Sequence, residues 1–510
     1  MIARDGYQTS LWQSSIPPYQ PVNISDNSNY DVIIVGGGIT GISTALLLQE
    51  SGKKCLVLEA NTLCFGTTGG TTAHLNTLLD TPYSTIRKKF NAESAAIVAK
   101  STEAAIELVK RNIKKYSIDC DFSEADAFLF AENSKQEKQL EEIAEAALEA
   151  GLDLQFTENI PVPASFVSAI RVKGQAKFHP LKYVYGLAKA FERRGGHIRQ
   201  DCRVTGVEVN EKVEVTTSSG QYACADLIYA THIPPGVNLL HLRCSPYRSY
   251  VMAVVLDKEE YPADLCYDMV DPYHYYRTQE VDGQLYLIAG GKDHKTGHEE
   301  NTQHRFTELE AHIRKMFRVK KVAYKWSSQY YESADGLPYI GHLPGQPEHL
   351  YVATGFGGNG MVYSSVAALT LEAILNNEEN GQTRLFDPNR LKPVAGFTNF
   401  IQQNAGVAGE LLGRLFSGEH LEELAELAPG EGKMVSYEGQ KIALYKDEEG
   451  VLHAIDPVCT HLKCEVNWNS AERSWDCPCH GTRYNYDGRV LTGPADRDAE
   501  PIYMESLAEH

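Results

Sequence analysis

Residues 30–60 read YDVIIVGGGITGISTALLLQESGKKCLVLEA, and the fold of the chain turns on which backbone this run adopts. Its uncharged part, Val32 to Gln49, is long enough to be tested as a membrane span. Three consecutive glycines, Gly36 to Gly38, stand in its middle and divide it instead into a strand, a tight turn and a helix. A second short apolar strand follows and ends at Glu59. Gly36, Gly38 and Gly41 have the G-x-G-x-x-G spacing at the head of the helix. Such glycines permit a tight turn and close approach of the backbone to a pyrophosphate, the helix N-terminus faces its charge, and the Glu59 carboxylate is placed to accept ribose hydroxyls. The stretch predicts a βαβ unit that binds a dinucleotide.

Outward from this unit, apolar strands and helical patterns alternate from about residue 30 to 380, as in an α/β domain with a largely buried sheet. Amphipathic helices are expected over 92–113 and 134–150, the latter stopped by Gly151. SYVMAVVLD (249–257) and QLYLIAGG (284–291) read as strands of a second, antiparallel sheet. No second glycine triplet occurs in this context, which favours FAD over a nicotinamide held in a Rossmann unit of its own. A further Gly-rich turn, Gly355 to Gly360, suits the floor under an isoalloxazine ring. Four domains or segments are expected: an N-terminal extension (1–29), the α/β oxidoreductase with its substrate sheet (30–384), a Pro-punctuated linker with a short helix (385–428), and a small all-β module (429–510). The linker helix reads as docked on the main domain, with peripheral membrane contact as the other reading.

The chain has 510 residues, with 48 Lys plus Arg against 67 Asp plus Glu and a formal net charge of -19. That balance repels polyanions, so nucleic acid is not an expected partner. The N-terminus lacks the basic start and apolar core of a secretory signal, and the expected location is cytoplasmic. Seven of the eleven cysteines are scattered singly and read as buried thiols of a reducing compartment.

Residues 30–380 resemble the D-amino-acid oxidase, glycine oxidase and sarcosine oxidase superfamily. The resemblance rests on GGGITG, Glu59, FGTTGGTTAH (65–74), FHP (178–180), DCRVTGVEV (201–209), ADLIYATH (225–232), YYRT (275–278) and GFGGNGM (355–361). It implies oxidation of C–N bonds of small amines or amino acids by hydride transfer to FAD. It also implies that Thr67, Thr68 and Thr72 touch the pyrophosphate or flavin, Val204 the adenine, and Gly358, Gly360 and Met361 the pyrimidine edge of the flavin. Ile288 stands where sarcosine oxidases carry an oxygen-activating lysine, and Ser328 where some members attach flavin through cysteine. Noncovalent FAD and slow reaction with oxygen are expected. Arg277 is a candidate clamp for a substrate carboxylate, His74 a candidate close to the flavin, and Tyr276 a third catalytic candidate. Tyr275 and Tyr276 alternate across a strand, so one of the two faces the cavity.

The other four cysteines lie in CTHLKCEVNWNSAERSWDCPCHG (459–481). Zinc ribbons ask for C-x2-4-C knuckles, whereas here Cys459-x-His461 is followed after 15 residues by Cys477-x2-His480. Two thiolates for one iron and two imidazoles for the other make a Rieske 2Fe-2S pattern, and imidazole ligation makes such a cluster easier to reduce. Residues 430–505 resemble the Rieske proteins of cytochrome bc and b6f complexes. That resemblance implies a Cys464–Cys479 disulfide between the ligand loops, hydroxyls of Thr482 and Tyr484 bonded to cluster sulfurs, and a covering loop at Gly493-Pro494-Ala495. Flavin and cluster together suggest a dehydrogenase that passes electrons to an acceptor protein or quinone. The alternatives are a reversed current, with the cluster feeding the flavin, and an amine oxidase with a redox-sensing module.

Overall fold

The computed structural model describes residues 4–22, 29–257, 260–390, 427–437 and 440–502. The glycine-rich stretch folds as its pattern requires. Strand Asn29–Val35, its last four residues all buried, runs parallel to Cys55–Leu58 on one side and Gly220–Tyr229 on the other. Leu350–Thr354 and His197–Arg199 extend the parallel sheet, and Tyr339–His342 pairs antiparallel to Leu350–Thr354. Helix Ile39–Glu50 packs between Pro180–Arg193 and Gly360–Leu375. Its apolar character on every side follows from that burial.

A second sheet, nine-stranded among the described residues, runs in the order Val319–Ser333, Cys244–Leu256, Gln284–Lys295, Tyr275–Val281, Leu265–Asp268, Ser123–Ala131, Ser168–Lys177, His74–Leu75, with Leu154–Phe156 also paired to Ser168–Lys177. Helices Ala92–Tyr116 and Ser134–Ala150 begin at Asn91 and Asn133, whose side chains accept from the first-turn amides. The second ends at Gly151 with φ +107°, a left-handed position suited to glycine.

The C-terminal module consists of a three-stranded sheet (Gly432–Tyr437, Gln440–Lys446, Leu452–Ile455) and a four-stranded one (Asn467–Asn469, Ser474–Asp476, Arg483–Asn485, Val490–Thr492). The predicted linker helix falls outside the described residues. Among the described residues no helix is long and apolar enough to cross a membrane. The seven scattered cysteines are all buried and unpaired.

The first described residues, from Arg4 onward, pack into the fold. Leu11 and Trp12 of helix Leu11–Ser15 are wholly buried, and a side chain of that size contributes about 2–3 kcal/mol when buried. Arg4 and Asp5 are buried as well, in a cluster that joins the two modules. Arg248 of the large sheet donates to the Ser327 hydroxyl, and the Ser327 amide donates to Glu472 at 3.0 Å. Arg483 donates to Asp476 at 3.1 Å and to the Asp5 carbonyl, and Arg4 donates to the Ser327 carbonyl at 2.6 Å. Three arginines and three carboxylates thus lie together away from water, an arrangement that costs desolvation but penalises any unpaired member heavily. Ala471 of the C-terminal module meanwhile sits in the apolar core formed with Tyr250 and Phe306 of the larger one.

Candidate active site and metal centre

One continuous cavity runs from the glycine turn to the large sheet, and residues of both modules line it. At its nucleotide end a side chain on Gly41 would put Cβ 1.9 Å from the Gly36 carbonyl oxygen, and Gly36 has φ +114° with its own virtual Cβ 2.5 Å from the Ala230 oxygen. Only glycine fits both positions. Glu59 accepts from the Gly37 amide at 2.7 Å and from the Asn61 amide at 2.8 Å, and burial raises its carboxyl above the usual range. Gly36, Gly38, Glu59 and Val204 line this end, while Thr67, Thr68, Thr72, Gly358, Gly360 and Met361 line it further along. Gly41 lies behind the turn and sets the distance between helix and strand. A bare backbone cradle at a helix N-terminus, closed by a half-buried carboxylate, fits the dinucleotide of FAD.

The far end is built by the large sheet. His74, Tyr267, Tyr273, Tyr275, Asp293 and Tyr330 face it. His74 Nδ1 pairs with the Tyr267 hydroxyl at 2.7 Å, its Nε2 has no partner, and burial keeps the imidazole neutral with a pKa well below its ordinary value. Ser328 also lines the cavity, with its hydroxyl unpartnered.

Two of the expected catalytic side chains, Arg277 and Tyr276, do not line the cavity. The wholly buried guanidinium of Arg277 donates through Nη1 to the carbonyls of Thr72 (3.0 Å), Ala73 (2.6 Å) and Phe178 (3.3 Å), and through Nη2 to Gln279. It clamps the Thr-rich loop rather than a substrate carboxylate. Strand alternation sends Tyr275 into the cavity and Tyr276 to the opposite face, where its hydroxyl meets His312 at 2.5 Å. Ile288 is buried in the core and does not line the cavity.

Sequence reasoning missed Asp80 and Asp293. Asp80 accepts from the Tyr273 hydroxyl at 2.9 Å and from the Gly358 amide at 2.6 Å, bracing the Gly-rich turn. Asp293 accepts from the Tyr330 hydroxyl at 2.8 Å through one oxygen. Neither has a local sequence signature.

In the C-terminal module the loops after Leu452–Ile455 and Ser474–Asp476 bring Cys459, His461, Cys477 and His480 together, and a disulfide joins Cys464 to Cys479 across them. Cys459 and Cys477 are buried free thiols. The hydrogen bond from Cys477 brings Cys459 down to about 6 against the effect of burial, with Tyr484 helping at 3.3 Å, and Cys477 rises in consequence. The rings of His461 and His480 lie 5.0 Å apart, and Nδ1 of each is buried without a partner. Burial lowers both imidazoles, His480 to about 4, and keeps them neutral. Two sulfurs and two orphaned imidazole nitrogens are the donor set of a Rieske 2Fe-2S cluster. Thr482 Oγ1 accepts from the Ala495 amide at 3.1 Å and so holds the covering loop.

The larger module touches these ligands directly. His461 Nε2 lies 3.2 Å from the Gly236 carbonyl, and the His241 ring packs edge-on to His461 at 4.6 Å. Tyr331 donates to the His480 carbonyl at 3.1 Å, and Gln329 to the Gly481 carbonyl at 2.9 Å. Thr67 donates to the Gln329 carbonyl at 2.9 Å, and Leu491, Gly493 and Ala495 line the same cavity as Thr67. The two sites share a wall.

Comparison with known proteins agrees with this geometry. Residues 31–373 match the FAD dependent oxidoreductase family and residues 420–504 the Rieske [2Fe-2S] domain. The chain is 32% identical over 501 residues to the Rieske 2Fe-2S iron-sulfur protein YhfW of Bacillus subtilis (strain 168), covering 97% of this chain and 98% of that one. It is 25% identical over 391 residues to gamma-glutamylputrescine oxidoreductase of Escherichia coli (strain K12), covering 73% of this chain and 90% of that one. Glycine oxidase from Geobacillus kaustophilus superposes with a TM-score of 0.61 at 17% identity, over 72% of this chain and 100% of that one, which shows the shared fold. The chain belongs to the FAD dependent oxidoreductase family, whose members bind FAD, and carries a C-terminal Rieske domain for a 2Fe-2S cluster.

Proposed function

We propose that this protein is a FAD-dependent dehydrogenase that oxidises the C–N bond of an amine or amino acid and delivers the electrons through its own Rieske cluster to an external protein or quinone. The observation that carries the reading is the shared wall: residues of the Rieske covering loop line the flavin cavity. When bound, FAD supplies hydride acceptance and the cluster supplies one-electron acceptance at a potential raised by its imidazoles. Thr67, Gln329 and Tyr331 tie the cavity to the His480 loop, and His74 Nε2 is available to hydrogen-bond a substrate nitrogen. Ser328 in place of a thiol supports noncovalent flavin, and the lack of any lysine among the described lining residues supports slow reaction with oxygen. The seven unpaired buried thiols support a cytoplasmic location. Exposed Val237, Leu242 and Leu462 follow or adjoin residues that touch His461, and they support acceptor docking at that edge.

His480→Ala tests the reading. The His480 loop reaches the flavin cavity through main-chain carbonyls, which alanine retains. Substrate should still bleach the flavin in a single anaerobic turnover, while steady turnover with the native acceptor collapses. Unchanged steady turnover would sink the proposal.

A further inference from the structure

The substrate end of the cavity has an unusual balance of charge. Among the described residues that line the whole cavity, Arg203 is the one lysine or arginine; it belongs to the nucleotide end beside Val204 and donates to the Val490 carbonyl at 3.1 Å. Arg277, the residue placed by sequence to bind a carboxylate, spends its Nη donors on main-chain carbonyls and Gln279. Two carboxylates face the substrate end instead. Asp80 has both oxygens engaged, by Tyr273 and by the Gly358 amide. Asp293 has one oxygen engaged by Tyr330, its Oδ1 is buried without a partner at ordinary hydrogen-bond distance, and the Ser249 hydroxyl stands near enough to the carboxylate to favour its charged form. A buried carboxylate oxygen without a donor is costly unless a cation or donor completes it.

The aromatic lining supplies the rest of a cation site. Tyr273 and Tyr275 have ring centroids 5.8 Å apart, and Tyr275 is hydrogen-bonded to Ser249 at 2.8 Å. Because Tyr273 and Tyr330 give their hydroxyl protons to Asp80 and Asp293, their orientations are fixed. Electron-rich ring faces beside a carboxylate attract alkylammonium groups. An α-carboxylate in the same space would meet Asp80 and Asp293 with no arginine or lysine to balance it.

Resting on the amine-or-amino-acid reading above, we infer that the substrate is a protonated amine lacking an α-carboxylate, its ammonium anchored by Asp293 Oδ1 within the Tyr273, Tyr275 and Tyr330 walls. Burial has raised the Asp293 carboxyl to about 6, and a bound ammonium favours its ionised form. Asp293 is an anchor for binding and specificity in this account.

The test uses the full-length, FAD-loaded protein with two probes of one shape and opposite charge, neither oxidisable at a C–N bond bearing hydrogen: tert-butylammonium and pivalate. Saturable perturbation of the flavin spectrum by tert-butylammonium and none by pivalate is expected. Asp293→Asn should weaken that binding at least about tenfold, as for loss of one charged hydrogen bond, with flavin content unchanged. If that variant loses FAD, the wild-type protein decides: anaerobic bleaching by ethylamine or benzylamine, and none by alanine or phenylglycine, supports the anchor. Preference for the amino acids, tighter binding of pivalate, or tert-butylammonium binding indifferent to Asp293→Asn overturns it. Asp293-dependent ammonium binding with no bleaching by any of the four compounds keeps the anchor and overturns the oxidation reading.

Discussion

The Tyr331 hydroxyl donates a 3.1 Å hydrogen bond to the main-chain carbonyl of His480, so a side chain that lines the flavin cavity touches the residue whose imidazole would hold iron. His232 packs edge-on against the same tyrosine at 4.7 Å and lines the cavity too. The modules are therefore joined where their cofactor sites meet. A charge cluster and an apolar wedge hold that junction.

The nucleotide end depends on close backbone packing. Gly41→Ala would force its methyl against the Gly36 carbonyl oxygen, 1.9 Å away. Overpacking of this kind costs about 1–3 kcal/mol, and the turn can relieve it only by moving. The purified variant should retain less than about a tenth of the wild-type FAD affinity, measured as flavin released on dilution.

Removing one arginine from the buried cluster leaves its carboxylate partners uncompensated. Arg248→Met should destabilise the protein by about 3 kcal/mol, seen as a lower denaturation midpoint. Adding Glu472→Gln should recover part of the loss, because Arg248 lies 3.8 Å from Glu472 and both are buried. Equal loss in single and double variants would contradict the pairing.

The same cluster sets a pH response. Burial alone would raise Asp476, but Arg483 and Arg248 outweigh it and hold its pKa below the ordinary value. A depressed folded-state pKa stabilises above the unfolded value, near 3.9, and the contribution disappears as pH falls through the folded value. Asp476→Asn should thus be much less stable than wild type at pH 7 and closer to it at pH 3. Denaturant titrations at both pH values measure the gap.

The Tyr484 hydroxyl, 3.3 Å from Cys459 Sγ, should favour the reduced, more negative cluster. Tyr484→Phe removes about 1 kcal/mol of that preference, which lowers the one-electron potential by about 40 mV. A spectroscopic redox titration of the cluster reads the shift.

What the sequence made legible was local. Gly36, Gly38, Gly41 and Glu59 lie within one βαβ unit, and Cys459, His461, Cys477 and His480 within two loops, so spacing alone carries their chemistry. Asp293 and Tyr330 come from separate strands, and Arg248, Asp5 and Glu472 from three distant segments, so no spacing links them. Arg277 misled for a related reason: a charged residue in a strand looks solvent- or substrate-facing until the loop that buries it, Thr72 and Ala73, is in place. The alternation of Tyr275 and Tyr276 was legible, but which of them faced the cavity depended on how the sheet packs.

Electron transfer from flavin to cluster is the central claim, and anaerobic reduction measures it most directly. The FAD- and cluster-loaded protein is mixed with less than one equivalent of an amine that bleaches its flavin, and electron paramagnetic resonance of the cluster is recorded with flavin absorbance. The account predicts a reduced Rieske signal that grows as flavin absorbance recovers. Flavin that stays bleached in proportion to the amine added, beside a cluster that stays oxidised, would contradict it.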